Sequence, residues 1–294
     1  DGHSNRARAA VRTGRLQVAG APPGATERPA LRRGGGFRSQ VERYGPFVLS
    51  FGLLALWEFA VWFFEVPGFL LPAPSDIVRL AIAERGLLQM HSSVTIVSIM
   101  SGYLCAVLFA LTVSATMIRF PLFERCVMPL FVALQSVPKI ALAPLILVWV
   151  GAGFASKLLV VAAITFFPIV INTMTGFKEV DRNLRDVFRS VAATERQVFF
   201  QLRFPYALPY IFAGLRIATT LAVLGAIVAE YLAASNGLGY LVLSGTNNFN
   251  TARSFAAIAA LAVIGTTFFG LMSLVESRLS WKRHAMSDQT GQDA

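Results

Sequence analysis

Long apolar blocks separated by short polar segments make up most of the chain. Each block has about the 20 residues that a helix needs to cross a bilayer. The blocks predict six spans, at about Pro46–Phe64, Ser93–Met117, Val127–Val150, Lys157–Phe177, Ala207–Ala234 and Ser254–Leu274. The pattern therefore predicts an all-α integral membrane fold with about six transmembrane helices.

The polar segments between the blocks carry different predictions. Residues 65–90 contain three prolines and are too interrupted to span. Within them, Ser75 is predicted to cap a short amphipathic helix that lies on the membrane. Residues 178–206 form the longest polar interruption and hold six cations. The predicted domains are a basic tail (1–43), a transmembrane domain (44–281) that contains the insert 178–206, and a C-terminal tail (282–294).

The insert has the pattern of two short helices joined by a turn. Apolar residues recur at i, i+3, i+4 and i+7 on one face of the first helix, and cations lie on the other face. The apolar residues are Leu184, Val187, Phe188 and Val191, and the cations are Arg182, Arg185 and Arg189. We expect the apolar face to pack against the helix bundle. The alternative is a solvated or lipid-facing amphipathic loop.

The second helix of the insert has a start signal and a stop signal. Thr194 and Gln197 have the spacing of a capping box. The helix is expected to end near Phe204, because Pro205 disfavours a helical residue before it. The insert is therefore predicted to be a helix–turn–helix.

Composition and charge indicate a membrane protein of fixed orientation. The chain is 55% hydrophobic and 14% charged, whereas soluble domains have about 25% charged residues. The net charge is +10, but the cations flank the apolar blocks, which argues against a nucleic-acid partner. With the N-terminal tail inside, the inner segments hold 20 cations and the outer segments four. This asymmetry predicts a multi-pass protein with both termini and the insert in the cytoplasm.

The N-terminal tail is rich in Arg, Ala, Gly and Pro and has little apolar surface to bury. We therefore expect a disordered, basic, cytoplasmic tail close to anionic membrane lipid. A transit peptide is the alternative.

Motifs for catalysis or cofactor binding are absent from the sequence. It has no phosphate-binding loop, dinucleotide fingerprint, zinc-protease motif or nucleophile elbow. The three histidines and two cysteines do not have the spacing of a metal site. The sequence therefore predicts no enzyme, no bound cofactor and no metal, and any nucleotide must be bound by a partner.

Polar side chains within the apolar blocks are candidates for a solute pathway. Lys139 lies between two prolines that interrupt its helix, and a cation there suits an anionic solute. Alternatively, its side chain reaches the inner interface. Asn172 and Arg216 are further candidates, and cytoplasmic contacts are the alternative for Arg216. Glu230 is expected to hold the outer segment 235–241, or to meet a binding protein, rather than to touch solute.

Small residues recur every four positions in two of the predicted spans. They let helix backbones approach closely in lipid, so we expect both faces to pack against other helices. The residues are Ser98, Gly102, Ala106, Ala110 and Ser114 in one span and Gly214, Ala218, Ala222 and Ala226 in the other.

The insert resembles the cytoplasmic EAA loop of ABC-importer permease subunits. That loop has the pattern Glu-Ala-Ala, three residues, Gly, nine residues, Ile-x-Leu-Pro. This chain has Asp-Val-Phe at 186–188, Ala192, and Leu-Arg-Phe-Pro at 202–205, with the same spacing. Ala192 stands where the pattern has glycine, and we expect the chain to bend there without a positive φ.

Further segments are similar to the branch of this family that imports nitrate, sulfonate, taurine, bicarbonate or pyrimidine precursors. The resemblance runs from about Trp57 to Leu274. The segments that carry it are 69–77, 136–157, 165–181, 204–218 and 228–242.

The resemblance implies a permease subunit of an ATP-driven importer in the bacterial inner membrane. The implied partners are a second permease copy or homologue, two cytoplasmic subunits that bind ATP and Mg, and an extracytoplasmic substrate-binding protein. The solute is expected to be small and anionic, like a sulfonate, taurine or nitrate. The residues expected to couple to the ATPase are Asp186, Phe188, Arg189, Ala192, Ala193 and Pro205.

Two other classes of protein are alternatives to this interpretation. A secondary transporter or channel would work without ATP, and buried acidic residues suited to ion coupling would favour it. A membrane-embedded enzyme would need a nucleophile–base pair or a metal cluster, and the sequence shows neither.

Overall fold

The computed structural model describes residues 35–233 and 235–287, and within these ranges it contains helices and no β-strand. The predicted all-α fold is therefore confirmed for the described residues. The α-helices are α1 (Gly35–Phe63), α2 (Pro74–Ala83), α3 (Arg85–Arg119), α4 (Pro121–Gln135), α5 (Leu142–Val150), α6 (Phe154–Lys178), α7 (Arg182–Ser190), α8 (Glu195–Gln197), α9 (Phe204–Ala233), α10 (Leu238–Asn247) and α11 (Thr251–Ser287), with a 3₁₀ turn at Lys139–Ala141 and a π-helical segment at Val198–Arg203.

The chain divides into two compact units, residues 1–52 and 53–294. The described part of the first unit is the beginning of α1, where the side chains at 47–51 are exposed. Because α1 begins at Gly35, residues 35–43 of the segment predicted as a disordered tail are helical. Residues 1–34 of that tail lie outside the described residues, as do the last seven residues of the predicted C-terminal tail.

Within the described residues, four helices are long and apolar enough to cross a membrane. They correspond to the second, fourth, fifth and sixth predicted spans, and they run over Arg85–Arg119, Phe154–Lys178, Glu195–Leu232 and Thr251–Leu279. The first predicted span corresponds to a shorter apolar helix, Phe47–Phe63. The described residues thus provide four spans, or five if α4 and the bent segment Lys139–Val150 form one span, and the sixth stays a prediction.

The third predicted span, Val127–Val150, is not one straight helix. α4 and the helical segment Lys139–Val150 meet at an angle of 89°. Pro138, with φ −65° and ψ 95°, lies at the break. Proline has no amide hydrogen and disfavours a helical conformation in the residue before it, so the helix ends there.

The small residues of α3 and α9 pack closely against α6. A methyl group added at Gly102 would lie 2.5 Å from Cβ of Val161, and one added at Gly214 would lie 2.9 Å from Cβ of Asn172. The remaining residues of both ladders are buried. The predicted role of the ladders in helix packing is confirmed, and α6 is the helix that both of them approach.

Ser75 does not cap α2, contrary to the prediction from sequence. The cap residue is Ala73, and Pro74 takes the first helical position, which its fixed φ favours. Ser75 instead donates its backbone N–H and its hydroxyl to the two carboxylate oxygens of Glu58, at 3.0 and 2.7 Å. Glu58 therefore fixes the start of α2 to α1.

Candidate functional site

A cluster of buried polar groups lies where α9 ends and the chain turns into α10. We call it the glutamate cluster, and it joins the turn to three helices. Its members are His91 and Thr95 on α3, Lys157 on α6, Glu230 on α9 and the segment 236–239.

Three consecutive amides of the turn, at residues 237–239, each donate to a different side chain of the cluster. Their acceptors are His91 Nδ1 at 2.9 Å, Thr95 Oγ1 at 2.8 Å and Glu230 Oε2 at 2.8 Å, in that order. The turn is thereby held to both α3 and α9. A buried amide is costly to leave unpaired, so each of these acceptors stabilises this path of the chain.

Glu230 has no exposed surface. Its carboxylate accepts from the Gly239 amide and lies 2.9 and 3.0 Å from Thr95 Oγ1. The prediction that Glu230 holds the segment 235–241 is therefore confirmed. His91 and Thr95 were missed, although two polar residues four positions apart at the start of an apolar block are a signal for such a contact.

The two glycines of the turn are needed because the chain passes directly over the carboxyl group. Gly237 has φ +112°, and an added methyl group would lie 2.2 Å from Cδ of Glu230. A methyl group on Gly239 would lie 2.8 Å from Cβ of Glu230. Residues with a side chain cannot occupy these positions without moving the glutamate.

Lys157 completes the cluster on the side of α6. It is 7% exposed, and its Nζ donates to the backbone oxygen of Asn236 at 3.1 Å and to its Oδ1 at 2.8 Å. A cavity of about 670 Å³ lies beside it. In the sequence analysis, Lys157 is only one of the four cations assigned to the outer segments. Its burial could not be predicted, because a buried lysine at the start of a span has no distinctive sequence pattern.

At the other end of α6, the insert forms the predicted helix, turn and second helix start. The Asp181 carboxylate caps α7 by accepting from the Asn183 amide at 2.9 Å. Thr194 and Gln197 form the predicted capping box, with the Thr194 amide donating to Gln197 Oε1 at 2.8 Å. The capping box is thereby confirmed.

The turn between α7 and α8 does use a positive φ, so the expectation for Ala192 was wrong. Ala192 has φ +53°. Its amide donates to the Arg189 carbonyl at 3.0 Å, and the Ala193 amide donates to the Phe188 carbonyl at 3.0 Å. These two bonds make a Schellman motif, which requires the left-handed conformation at its central residue.

The apolar face of α7 does not pack against the bundle, contrary to the prediction. Leu184, Val187 and Val191 are 42, 58 and 70% exposed, and Phe188 is half-buried. Hydrophobic periodicity shows that a helix has an apolar face, but it does not show what covers that face. In this chain, most of the apolar face of α7 is exposed.

The other predicted coupling residues are placed as follows. Asp186 and Arg189 are exposed and form an i,i+3 ion pair with an N–O distance of 3.6 Å. Ala192 is exposed, and Ala193 is half-buried. Most of the predicted coupling set thus lies on one short segment, with Pro205 separate from it in α9.

The second helix of the insert does not end near Phe204, which corrects the prediction. One helix runs over Glu195–Leu232. The π-helical segment Val198–Arg203 lies just before Pro205. Such a segment shifts the hydrogen-bond register, which allows a helix to continue through a residue that lacks an amide hydrogen.

The three pathway candidates contact different partners. Lys139 is half-buried, with Nζ 5.5 Å from the centre of the Phe167 ring. Asn172 donates to the Pro168 carbonyl of its own helix at 2.8 Å. A role for these two side chains in a solute pathway stays a prediction.

Arg216 forms an ion pair with Glu276, which sequence reasoning missed. Its Nε is buried and has no hydrogen-bond partner among the described residues. The acid lies on α11, 60 positions along the chain, so no local pattern connects the two residues. Arg216 is thus joined to α11 within the bundle.

The fold and these two sites define a multi-pass α-helical membrane protein with an exposed amphipathic helix between two spans. Residues 98–281 match the family described as the binding-protein-dependent transport system inner membrane component. The chain belongs to this family, so the predicted relationship to ABC-transporter permeases is confirmed.

Relatives of known description are similar over most of the chain. The formylaminopyrimidine transport permease protein ThiX of Halalkalibacterium halodurans is 36% identical over 81% of this chain and 96% of its own length. The riboflavin transport system permease protein RibX of Chloroflexus aurantiacus is 35% identical over 77% of this chain and 85% of its own. The taurine transport system permease protein TauC of Escherichia coli is 30% identical over 79% of this chain and 89% of its own.

Proposed function

We propose that the chain is a permease subunit of an ATP-driven importer and moves a small solute inward by alternating access. Membership of the transport family supports the permease role. The sequence has no phosphate-binding loop. ATP and Mg would therefore be bound by two cytoplasmic partner subunits, and this chain would itself not be an enzyme.

The observation that carries the proposal is the open apolar face of α7. Leu184, Val187 and Val191 expose apolar surface on a helix whose other face is basic. Burying such a face in the groove of a partner removes apolar area from water, which favours association. The surrounding charges fix the orientation of the partner and exclude wrong partners. Phe188, Asp186 and the turn at 192–193 would complete the contact.

The connection from α7 to the membrane supports a role in transmitting force. The Schellman turn at Ala192 and the capping box at Thr194 leave no free linker between α7 and the helix that follows. That helix has 38 residues, which corresponds to about 55 Å. A displacement of α7 by closing ATPase subunits would thus move the inner end of a helix that carries Glu230 near its outer end.

The remaining partners and the solute are proposed from membership of the transport family. The importer would contain a second permease copy or homologue and an extracytoplasmic substrate-binding protein, in a bacterial inner membrane with both termini in the cytoplasm. Lys139, Asn172 and Arg216 are proposed to line the pathway. The relatives are named for formylaminopyrimidine, riboflavin and taurine, and we propose a small anionic solute of the taurine type.

Co-purification of the ATPase subunit with the tagged permease tests the proposal. Phe188→Asp places a charge in the apolar face of α7, and loss of the ATPase subunit is expected. Ser190→Asp adds the same charge on the opposite side of α7 and should retain it. An active permease with no associated ATPase would instead favour a secondary transporter or channel.

A further inference from the structure

We propose that the cavity beside Lys157 binds an oxyanion group, of the sulfonate, carboxylate or phosphate type. The proposal deepens the proposed function, on which it rests only for the source of the anion. It assigns the anion site to the outer end of α6, whereas sequence reasoning placed candidate cations at Lys139 and Arg216.

The first argument is the incomplete hydrogen bonding of Lys157. The residue is 93% buried, as its exposed fraction of 7% shows, and within the described part of the chain its ammonium group donates only to the neutral oxygens of Asn236. No described carboxylate oxygen lies within 4.0 Å of Nζ, although Glu230 attracts the ammonium group electrostatically from farther away. One of the three N–H donors of Lys157 remains available, and an anion in the cavity would accept from it.

The Glu230 carboxylate belongs to the same cluster but is already engaged. Its oxygens accept from Thr95 and from the amide of Gly239. It does not line the cavity, and the lining contains no acidic side chain. An anion in the cavity would therefore face Lys157 without a carboxylate in the wall.

The second argument is the start of α6. Gly153 is the cap residue, the first turn has no acidic residue, and Lys157 follows one turn into the helix. The N-terminal end of a helix carries a partial positive charge, which favours anions and disfavours cations. The sequence thus places a lysine where the helix already attracts negative charge.

The third argument is the space and the polar groups around it. The cavity has about 670 Å³, within the range of about 300–1,000 Å³ typical of small-molecule sites. The hydroxyl groups of Ser93 and Ser235 and the amide of Asn236 lie among its lining residues. The Asn236 side-chain nitrogen has no hydrogen-bond partner within the described part of the chain. It could therefore donate to the same oxyanion as Lys157.

The oxyanion group that occupies the cavity could come from two sources at the outer end of the bundle. One is the transported solute, and the other is the phosphate of a membrane lipid. Both present charged oxygens that accept hydrogen bonds from an ammonium group, so the site is defined by that shared chemistry. The experiment separates them by varying solute and lipid independently.

The test is thermal unfolding of the full chain in phosphatidylcholine nanodiscs, with methanesulfonate titrated against gluconate at equal ionic strength. A saturable rise in Tm with methanesulfonate is expected for the unchanged protein. Lys157→Met removes the charge, and Ser93→Trp fills the cavity from an exposed position. Each variant should raise the half-saturation concentration about tenfold or more. Arg79→Met removes a cation that does not line the cavity and should leave the response unchanged.

The lipid source is tested in nanodiscs that contain phosphatidylglycerol. If lipid phosphate occupies the site, Tm rises with the phosphatidylglycerol fraction in the unchanged protein and not in Lys157→Met. The proposal is overturned if Lys157→Met and Ser93→Trp respond to methanesulfonate and to phosphatidylglycerol as the unchanged protein does. It is also overturned if the unchanged protein responds to neither. ATPase subunits are absent from this measurement, so its result would stand even if the unchanged permease co-purified with no ATPase subunit, which is the outcome that would count against the proposed function.

Discussion

The amide of Gly239 donates to Oε2 of Glu230 at 2.8 Å, so the chain binds back on α9 nine residues after the glutamate. This contact fixes the C-terminal end of the helix Glu195–Leu232 to the start of α10. The N-terminal end of the same helix is joined through a tight turn to α7. One continuous helix thus connects the buried glutamate cluster with the exposed apolar face of the insert.

Gly237→Ala is expected to destabilise the outer turn. The substitution introduces a β-carbon at φ +112° and 2.2 Å from Cδ of Glu230. The backbone conformation, with φ +112° and ψ 163°, alone costs a residue with a side chain about 1–3 kcal/mol, and displacement of the carboxylate adds to it. Thermal unfolding in nanodiscs measures the change. Gly68→Ala, where the added methyl group meets nothing within 4 Å, is the control. Equal Tm values for the two variants would contradict the described geometry.

Thr95→Val should cost about 1–3 kcal/mol, because it leaves the Leu238 amide and part of the Glu230 carboxylate without a partner in a buried site. Thr112→Val is the matched control on the same helix, since Thr112 is exposed and its hydroxyl donates to the Leu108 carbonyl of that helix. The free energies of unfolding of the two variants are compared. A loss of the same size in both would show that the Thr95 contacts contribute little.

Ala192→Gly is expected to stabilise the insert by about 1 kcal/mol, because glycine adopts a positive φ without steric cost. Ala193→Gly, which does not occupy the left-handed position, should be neutral or destabilising. Limited proteolysis within residues 182–203 measures the local effect. Faster cleavage of the Ala192→Gly variant would mean that the turn does not have the described conformation.

Removing either partner of the Arg216–Glu276 pair should destabilise the bundle more than removing both. Arg216→Met leaves an unpaired carboxylate, and Glu276→Gln leaves an unpaired guanidinium. Single removals of this kind cost about 3–5 kcal/mol when the pair is fully buried. Here the side chains are 40 and 23% exposed, so a smaller loss is expected. A double-mutant cycle by thermal unfolding gives the coupling energy, and strictly additive effects would show no coupling.

The features that could be predicted from the sequence are those set by local pattern. The Thr194–Gln197 capping box has a fixed spacing, and the small-residue ladders repeat along one helix face. Glu230 comes shortly before a glycine-rich segment in the sequence, and a buried carboxylate needs nearby hydrogen-bond donors. Each of these patterns constrains its neighbours directly, so each prediction was confirmed.

The features that could not be predicted depend on what packs against each residue. The apolar face of α7 has the same periodicity whether it is covered or open, and a local rule for Pro205 does not reveal a π-helical segment before it. Glu276 is 60 positions from Arg216 along the chain. Burial of Lys157 follows from the path of the turn at Asn236, which no spacing encodes.

We propose that the insert couples ATP hydrolysis to movement of the transmembrane helices, and the ratio of solute taken up to ATP hydrolysed measures this coupling. The measurement uses proteoliposomes that contain the complete importer. Ala192→Pro cannot adopt the positive φ of the turn, because proline fixes φ near −65°, whereas Ala192→Gly preserves it. We expect a ratio at least about tenfold lower for Ala192→Pro, which corresponds to about 1.4 kcal/mol of lost coupling, and an unchanged ratio for Ala192→Gly. An unchanged ratio in well-inserted Ala192→Pro would contradict the proposal.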